Sequence, residues 1–514
     1  MQPIRLISGF LTVGAWTMLS RVFGFARDIL IAARLGDGPV AEAFVVAFTL
    51  PNMFRRFFAE GALNMAFIPI FSRKLEAGQG AEGFARDTFA ALAALLIGLT
   101  LVAQLAMPWL VLALASGFAD DPRLEMATLY GRLCFPYILF ISLAALLSGV
   151  LNATGRFAAA AAAPVLLNMV LIAVMLAAAE AGQERLGLAL SWAVPVAGVA
   201  QCALLWVAAR RAGFTLRLRW PRYTPELGRL ARIALPAMLA GGVLQINLIV
   251  GKQVASYFDG AIQYINLADR LYQLPLGVVA IAIGVVLLPD LSRKLEAGDT
   301  EGGRQAFNRA TEFALLLTLP AALALIVVGQ PIVSVLFERG AFDAEATANT
   351  ALVTAIYGLG LPAFVLQKVL QPLFFARSDT VTPFRFAVVA MVINAVIAIG
   401  LAPVIGFQAA AWGTTVGGWA TVALLWARSR TLGRAVEVDA RLAGRVLRIL
   451  AAALAMAAVL IGVEALLGDM LYTAGLRYGA LAVLVLSGIA VYFAVADLIG
   501  ATSLRDIRGV LRRG

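Results

Sequence analysis

The stretch "FAALAALLIGLTLVAQLAMPWLVLALA", Phe89–Ala115, passes through 27 residues without a charge. A helix needs about 20 mostly apolar residues to cross a bilayer. An uncharged run of this length constrains the chain more than any other feature, and similar runs recur from end to end. Candidate spans fall at roughly 8–33, 40–70, 88–115, 128–152, 160–180 and 186–209, then at roughly 230–257, 262–291, 310–328, 348–375, 384–403, 406–427, 446–467 and 478–500. Unbroken runs do not fit barrel strands of about ten alternating residues. Composition agrees: 61% of residues are hydrophobic and 14% charged, with a mean hydropathy of +0.89. Soluble domains hold about 45–50% apolar and about 25% charged residues. The expected class is an all-α polytopic membrane protein of about 14 transmembrane helices.

Cys134 and Cys202 lie in apolar stretches and read as small core residues, not as a disulfide framework. The absence of histidine excludes a His-based triad, a His general base and a His metal ligand. After Arg5 the first apolar run carries its own arginines and lacks a small-residue cleavage site. It reads as a first membrane segment and not as a signal peptide.

The formal net charge is +11. Its placement argues for topology and against nucleic acid. Basic residues concentrate at the N-terminus, after even-numbered spans and at the C-terminus, for example Arg73, Lys74, Arg210, Arg211, Arg217, Arg219, Arg293, Lys294, Arg428 and Arg430. The odd connections hold only Arg34, Arg123, Arg185, Arg339 and Arg477. This positive-inside distribution predicts both termini and every even loop in the cytoplasm. The same charge attracts anionic headgroups.

The heptapeptide SRKLEAG stands at Ser72–Gly78 and again at Ser292–Gly298, an offset of 220 residues. Pro69/Pro289, Trp192/Trp412, Gly198/Gly418 and Arg210/Arg430 keep that offset. Pro136/Pro362 and Asn168/Asn394 differ by 226. The repeated unit covers six spans, an even number, so the second copy enters the membrane in the same orientation as the first. Parallel repeats of this kind are a plan of secondary transporters, which bind substrate between the halves. The expected organisation is a six-helix lobe at 1–222, a second at 223–440, and two added helices with a tail at 441–514.

Charges inside spans are expensive and usually functional. "SRVFGFARD" in the first span places Arg21 and Asp28 nearly on one helical face, with Gly24 between them and Arg27 about 120° away. "LPNMFRRFFAEGA" in the second carries Pro51, Arg55, Arg56 and Glu60, and the i,i+4 spacing suits an Arg56–Glu60 pair. "ADRLYQLP" in the eighth carries Asp269 and Arg270 ahead of Pro275. Glu42 opens the second span, either as a favourable charge at a helix N-terminus or as a partner for an arginine. Lys252 and Lys368 sit within two turns of span ends and are expected to snorkel.

The excess of arginine predicts an anionic substrate, and guanidinium forks suit phosphate or diphosphate. No Walker-type GK[ST] sequence occurs, so ATP hydrolysis is not expected. A drug antiporter should instead show buried carboxylates without the arginine excess. A membrane-embedded glycosyltransferase should place a carboxylate or metal set on an outer loop, and Asp120, Asp121, Asp343 and Glu345 lack metal spacing. A non-transporting scaffold leaves the buried arginines unexplained.

"SRVFGFARD", "LPNMFRRFFAEGA", "AFIPIFSRKLEAG", "FPYILFISLAALLSGVLNATGRF" and "ADRLYQLPLGVVAIAIGVVLLPDLS" resemble the lipid II flippases of the MurJ (MviN) family, within the multidrug/oligosaccharidyl-lipid/polysaccharide exporter superfamily. The resemblance extends over essentially the whole chain. It implies a 6+6+2 helix plan in the bacterial inner membrane. It also implies translocation of the undecaprenyl-diphosphate-linked peptidoglycan precursor, lipid II, to the periplasmic leaflet. Carried over by motif, Arg21, Arg27, Arg55 and Arg270 would engage the diphosphate. Asp28, Glu42, Glu60 and Asp269 match acidic positions, with Glu42 standing where the family more often has Asp. The two added helices would form a groove for the lipid tail. Some members hold sodium in the second lobe, and Asn394 sits where a polar ligand would stand, but no metal site or cofactor is assigned. The implied partners are lipid II, membrane lipids and the cell-wall synthesis machinery, with no nucleic acid. The rival within the superfamily is an exporter of another lipid-linked oligosaccharide or a drug antiporter.

Overall fold

The computed structural model describes residues 3–56, 63–216, 219–282, 288–377, 379–433 and 436–502. The chain there forms α1 (Pro3–Leu35), α2 (Pro39–Arg55), α3 (Leu63–Glu76), α4 (Ala81–Leu114), α5 (Pro122–Cys134) and α6 (Tyr137–Ala153). It continues with α7 (Ala158–Ala177), α8 (Gln183–Arg211), α9 (Pro225–Ala255), α10 (Ala261–Ala282), α11 (Leu288–Glu296) and α12 (Thr300–Val327). The last six are α13 (Gly329–Phe337), α14 (Ala344–Phe375), α15 (Val381–Ile405), α16 (Gln408–Ser429), α17 (Ala440–Leu467) and α18 (Arg477–Leu498). Among the described residues, β pairing is confined to one isolated antiparallel bridge, Arg339 to Phe342.

Nine helical segments among the described residues are long and apolar enough to cross a membrane. Each coincides with a span expected from the sequence, for instance Ala81–Leu114, Val381–Ile405 and Arg477–Leu498. The other expected spans fall on α1, on α2 and α3, on α9, on α10 and α11, and on α16. Helix starts follow local chemistry. Asp121, Asp299, Asp343 and Asp439 each accept a backbone N–H in the first turn of α5, α12, α14 and α17, at 2.6–2.9 Å. Such caps satisfy donors that the helix itself leaves open.

The repeated heptapeptide folds the same way twice. In both copies a helix ends at the glutamate, Glu76 or Glu296. The glycine then takes a left-handed conformation, φ +64° at Gly78 and +75° at Gly298. The next N–H closes onto the lysine carbonyl at 2.9 Å, Gln79 to Lys74 and Asp299 to Lys294. This is a glycine helix stop, which basic residues followed by glycine at a helix end favour.

The chain divides into two compact units. One comprises Met1–Gln263 together with Arg339–Phe342, and the other Tyr264–Glu338 with Asp343–Gly514. In the first, Phe67 stacks on Phe71 and Phe84, over Leu146, Leu147, Leu151 and Leu205. There α8 packs closely on α6 at Gly198, where a methyl would stand 2.7 Å from the Tyr137 ring. In the second unit Phe307, Leu370, Leu373, Phe374 and Leu425 form one core, and α17 and α18 build another around Ile449, Leu484 and Tyr492. There α16 packs on α14 at Gly418, where a methyl would stand 2.6 Å from the Phe364 ring. Each glycine of the Gly198/Gly418 pair therefore admits an aromatic ring.

Candidate functional site

Toward the C-terminal end of α1, Arg27 is 7% exposed and Asp28 is 5% exposed. Arg27 donates to the Asp28 carboxylate from Nε at 3.0 Å and from Nη2 at 2.7 Å. Its Nη1 donates to Asn168 Oδ1 on α7 at 2.9 Å, and Asn168 Nδ2 donates to the Ser20 carbonyl at 3.1 Å. Phe48 of α2 lies 5.9 Å from the guanidinium. A charge withdrawn from water in this way persists only with such partners. The α1 helix is continuous through Gly24, where a methyl would touch Asn168 at an ordinary 3.5 Å.

The remaining sequence-derived candidates lie on α1, α2 and α10. Arg21 is exposed on α1, Arg55 is half-buried at the end of α2, and Arg56 is exposed beside it. Glu60 lies outside the described residues, so the Arg56–Glu60 pair is not described. In the other unit, Asp269 and Arg270 are half-buried on α10, and Asp269 accepts a hydrogen bond from Gln273. Arg27 and Asp28 are in direct contact. They are sequence neighbours, whereas helical geometry had grouped Arg21 with Asp28.

Glu42 is buried, 1% exposed, and an arginine is its partner: Arg123 donates from Nη1 at 2.7 Å. Glu42 also accepts the Ile262 N–H at 3.1 Å. Arg123 meets Asp121 at 2.8 Å and Asp259 at 3.2 Å, and stacks 4.6 Å over Phe118. Its hydrogen bond to the Asp121 carboxylate holds that group below the usual carboxylate range. The sequence placed Arg123 in a connection and gave it only a topological meaning. Lys252 does not reach outward from α9; it is half-buried and donates to Thr49 Oγ1 of α2 at 2.6 Å. Lys368 is exposed, as expected of a snorkelling lysine. Cys134 and Cys202 are free thiols.

Sequence reasoning also missed a cluster in the second unit. Glu312 of α12 is 8% exposed and pairs with Arg309 of its own helix and with Arg441 and Arg445 of α17. Arg309 also pairs with Asp439, which caps α17. The spacings Arg309–Glu312 and Arg441–Arg445 were visible, but their convergence on one carboxylate needed the fold. Deeper between α12, α13, α17 and α18 lies an apolar cavity of about 230 Å³, lined among others by Leu316, Pro320, Met456, Leu460, Leu484 and Tyr492.

Spans interrupted by buried, tightly partnered ionic groups, on an all-helical chain, define a membrane protein of the transporter class. The comparisons with known proteins specify it. The family model described as lipid II flippase MurJ matches residues 31–486, and the chain belongs to that family. A relative named probable lipid II flippase MurJ, from Rhizobium meliloti (strain 1021), is 46% identical over 520 residues, covering 99% of this chain and 97% of its own length. A solved structure described as lipid II flippase MurJ in an inward closed conformation superposes with a TM-score of 0.80 at 22% identity, over 97% of this chain and 99% of its own. An inward-facing multidrug resistance MATE family transporter of the MOP superfamily has a TM-score of 0.65 at 17% identity, over 82% and 98%. The last two establish likeness of fold.

Proposed function

We propose that this protein is a flippase for lipid II, moving the polyprenyl-diphosphate-linked peptidoglycan precursor across the bacterial inner membrane by alternating access. It is a transporter and performs no covalent chemistry. Family membership across most of the chain supports the cargo. The observation that carries the mechanism is Arg27, a guanidinium buried within α1 and aimed by Asp28 and Asn168. With Arg21, Arg55 and Arg270 it supplies guanidiniums for a diphosphate. Asp28, Glu42, Glu60 and Asp269 serve as their charge partners or as gate contacts.

The proposed architecture has fourteen spans: two parallel six-helix lobes at 1–222 and 223–440, and two further helices at 441–514. The matching helix stops of the heptapeptide and the matching Gly198 and Gly418 contacts support the duplication. Both termini are assigned to the cytoplasm from the basic loops. The apolar cavity beside α17 and α18 suits a hydrocarbon tail. Surrounding lipids and the cell-wall synthesis machinery are the proposed partners.

The test is depletion of the protein in its host, followed by measurement of which lipid-linked precursor accumulates on the cytoplasmic leaflet. Accumulation of lipid II is expected. Accumulation of a different lipid-linked oligosaccharide, or of none, would sink the assignment of cargo. Reconstituted vesicles then test the site: Arg21→Gln should insert normally and fail to flip lipid II.

A further inference from the structure

The connection between α8 and α9 carries three arginines, Arg217, Arg219 and Arg222, follows Arg211 at the end of α8, and has no Asp or Glu from Ala212 to Thr224. It also holds Trp220, 89% exposed, and Tyr223, 87% exposed. Neither ring belongs to a helix. The apolar span ahead of them ends at Arg211, so the two rings follow within about a dozen residues of a membrane boundary.

On either side of residues 217–218, which lie outside the described residues, the segment is tied down. Thr215 donates to Glu82 of α4 at 2.9 Å from its hydroxyl, and its carbonyl accepts Arg86 Nε at 3.0 Å. Leu216 is buried in the core of the first unit, and its carbonyl accepts Trp206 Nε1 at 3.0 Å. Arg219 pairs with Asp87. Beyond this stem the chain turns into α9, where Thr224 caps Leu227 at 3.3 Å. The Tyr223 hydroxyl lies 2.6 Å from where a methyl on Gly228 would stand. A fixed stem thus presents an exposed indole, an exposed phenol and Arg222 together.

We propose that Arg219–Tyr223 is an interfacial anchor that seats in the headgroup layer of an anionic leaflet. Tryptophan and tyrosine favour this layer because one part of each ring system is apolar and the other hydrogen-bonds. Arginines immediately beyond a span attract phosphate-bearing headgroups, and the connection itself holds no acid, so that with Arg219 engaged by Asp87 the exposed Arg222 supplies this attraction. An anionic lipid surface is the occupant that satisfies the aromatic and the cationic character together. The anchor ties the link between α8 and α9 to the bilayer and does not depend on the cargo or on sidedness.

The test uses the full chain in nanodiscs, with Cys202→Ala and Trp220→Cys carrying an environment-sensitive fluorophore; Cys134 is buried. In phosphatidylcholine containing phosphatidylglycerol, the emission should shift to the blue and resist quenching by neutral acrylamide, relative to pure phosphatidylcholine and to detergent. Arg222→Gln should weaken this dependence on anionic lipid about fivefold, the factor for one basic residue near a charged surface. As a second reading with the native ring, brominated lipid should quench wild-type protein more than Trp220→Phe. Equal exposure of the label in all three environments would overturn the proposal. So would shielding seen only in native membrane vesicles, which would assign the surface to a protein partner.

Discussion

Two buried asparagines stand 226 residues apart in sequence and meet different surroundings. Asn168 on α7 is 6% exposed and spends its amide on α1, accepting from Arg27 and donating to Ser20. Asn394 on α15 is 1% exposed and lies against two glycines of α16. A methyl at Gly417 would stand 3.3 Å from its Cβ, and one at Gly413 would collide with its amide oxygen and with its backbone carbonyl at 2.7 Å. One copy of the residue positions a buried charge. The other fills the contact between two helices that approach closely because small residues allow it. Asn168 therefore belongs to a charged corner, and Asn394 to a corner where two helices pack closely.

The largest effect should come from breaking the charged corner. Asp28→Ala leaves Arg27 buried without its carboxylate and should cost about 3–5 kcal/mol, read as a fall in thermal stability of the purified protein and loss of lipid II flipping. Replacing both residues, Arg27→Met with Asp28→Leu, should restore stability without flipping. Recovery of flipping in that double variant would remove Arg27 from the proposed site.

The packing corner should respond to volume. Gly413→Ala drives a methyl into Asn394 and should cost about 1–3 kcal/mol, while Asn168→Ala should cost about 1–3 kcal/mol by leaving a buried guanidinium short of an acceptor. The first should spare flipping per folded molecule and the second should not. If the two variants behaved alike in flipping per folded molecule, the contrast between the corners would fail.

A partly exposed pair gives a smaller contrast. Asp121, whose carboxyl is lowered by its hydrogen bond to Arg123, contributes stability that is present above the ordinary value near 3.9 and is lost as pH falls through the lowered folded value. Asp121→Asn should therefore remove less than about 1 kcal/mol at neutral pH, with a flatter acid limb in a stability-against-pH profile. Smallest of all, Gly24→Ala meets Asn168 at an ordinary 3.5 Å and should leave thermal stability unchanged or raise it by up to about 1 kcal/mol.

Much of this protein was legible in one dimension. Uncharged runs such as Phe89–Ala115 announced spans because a bilayer rewards about 20 apolar residues in a row whatever they later touch. SRKLEAG announced its helix stops because a left-handed glycine is a local requirement, met at Gly78 and Gly298 by the same closing hydrogen bond. The two arginines of "SRVFGFARD" drew attention because a charge in a span is costly wherever it points, and one of them, Arg27, is buried with a carboxylate partner.

Partnership was not legible. Helical angles set Asp28 beside Arg21, but a long guanidinium bends back to its own neighbour and reaches Asp28 at 2.7 Å. Arg123 looked like loop charge and is instead buried on Glu42, 81 positions away. Glu312 drew no notice, though two helices bring three arginines to it. Sequence alone determined that this is a helical membrane protein with costly cations in its spans, because those properties follow from residue type and spacing. The distant partners were decided by the tertiary structure, Asn168 for Arg27, Glu42 for Arg123 and Glu312 for Arg441 and Arg445, because an ion pair depends on distance and only packed helices bring residues so far apart in sequence within hydrogen-bonding reach.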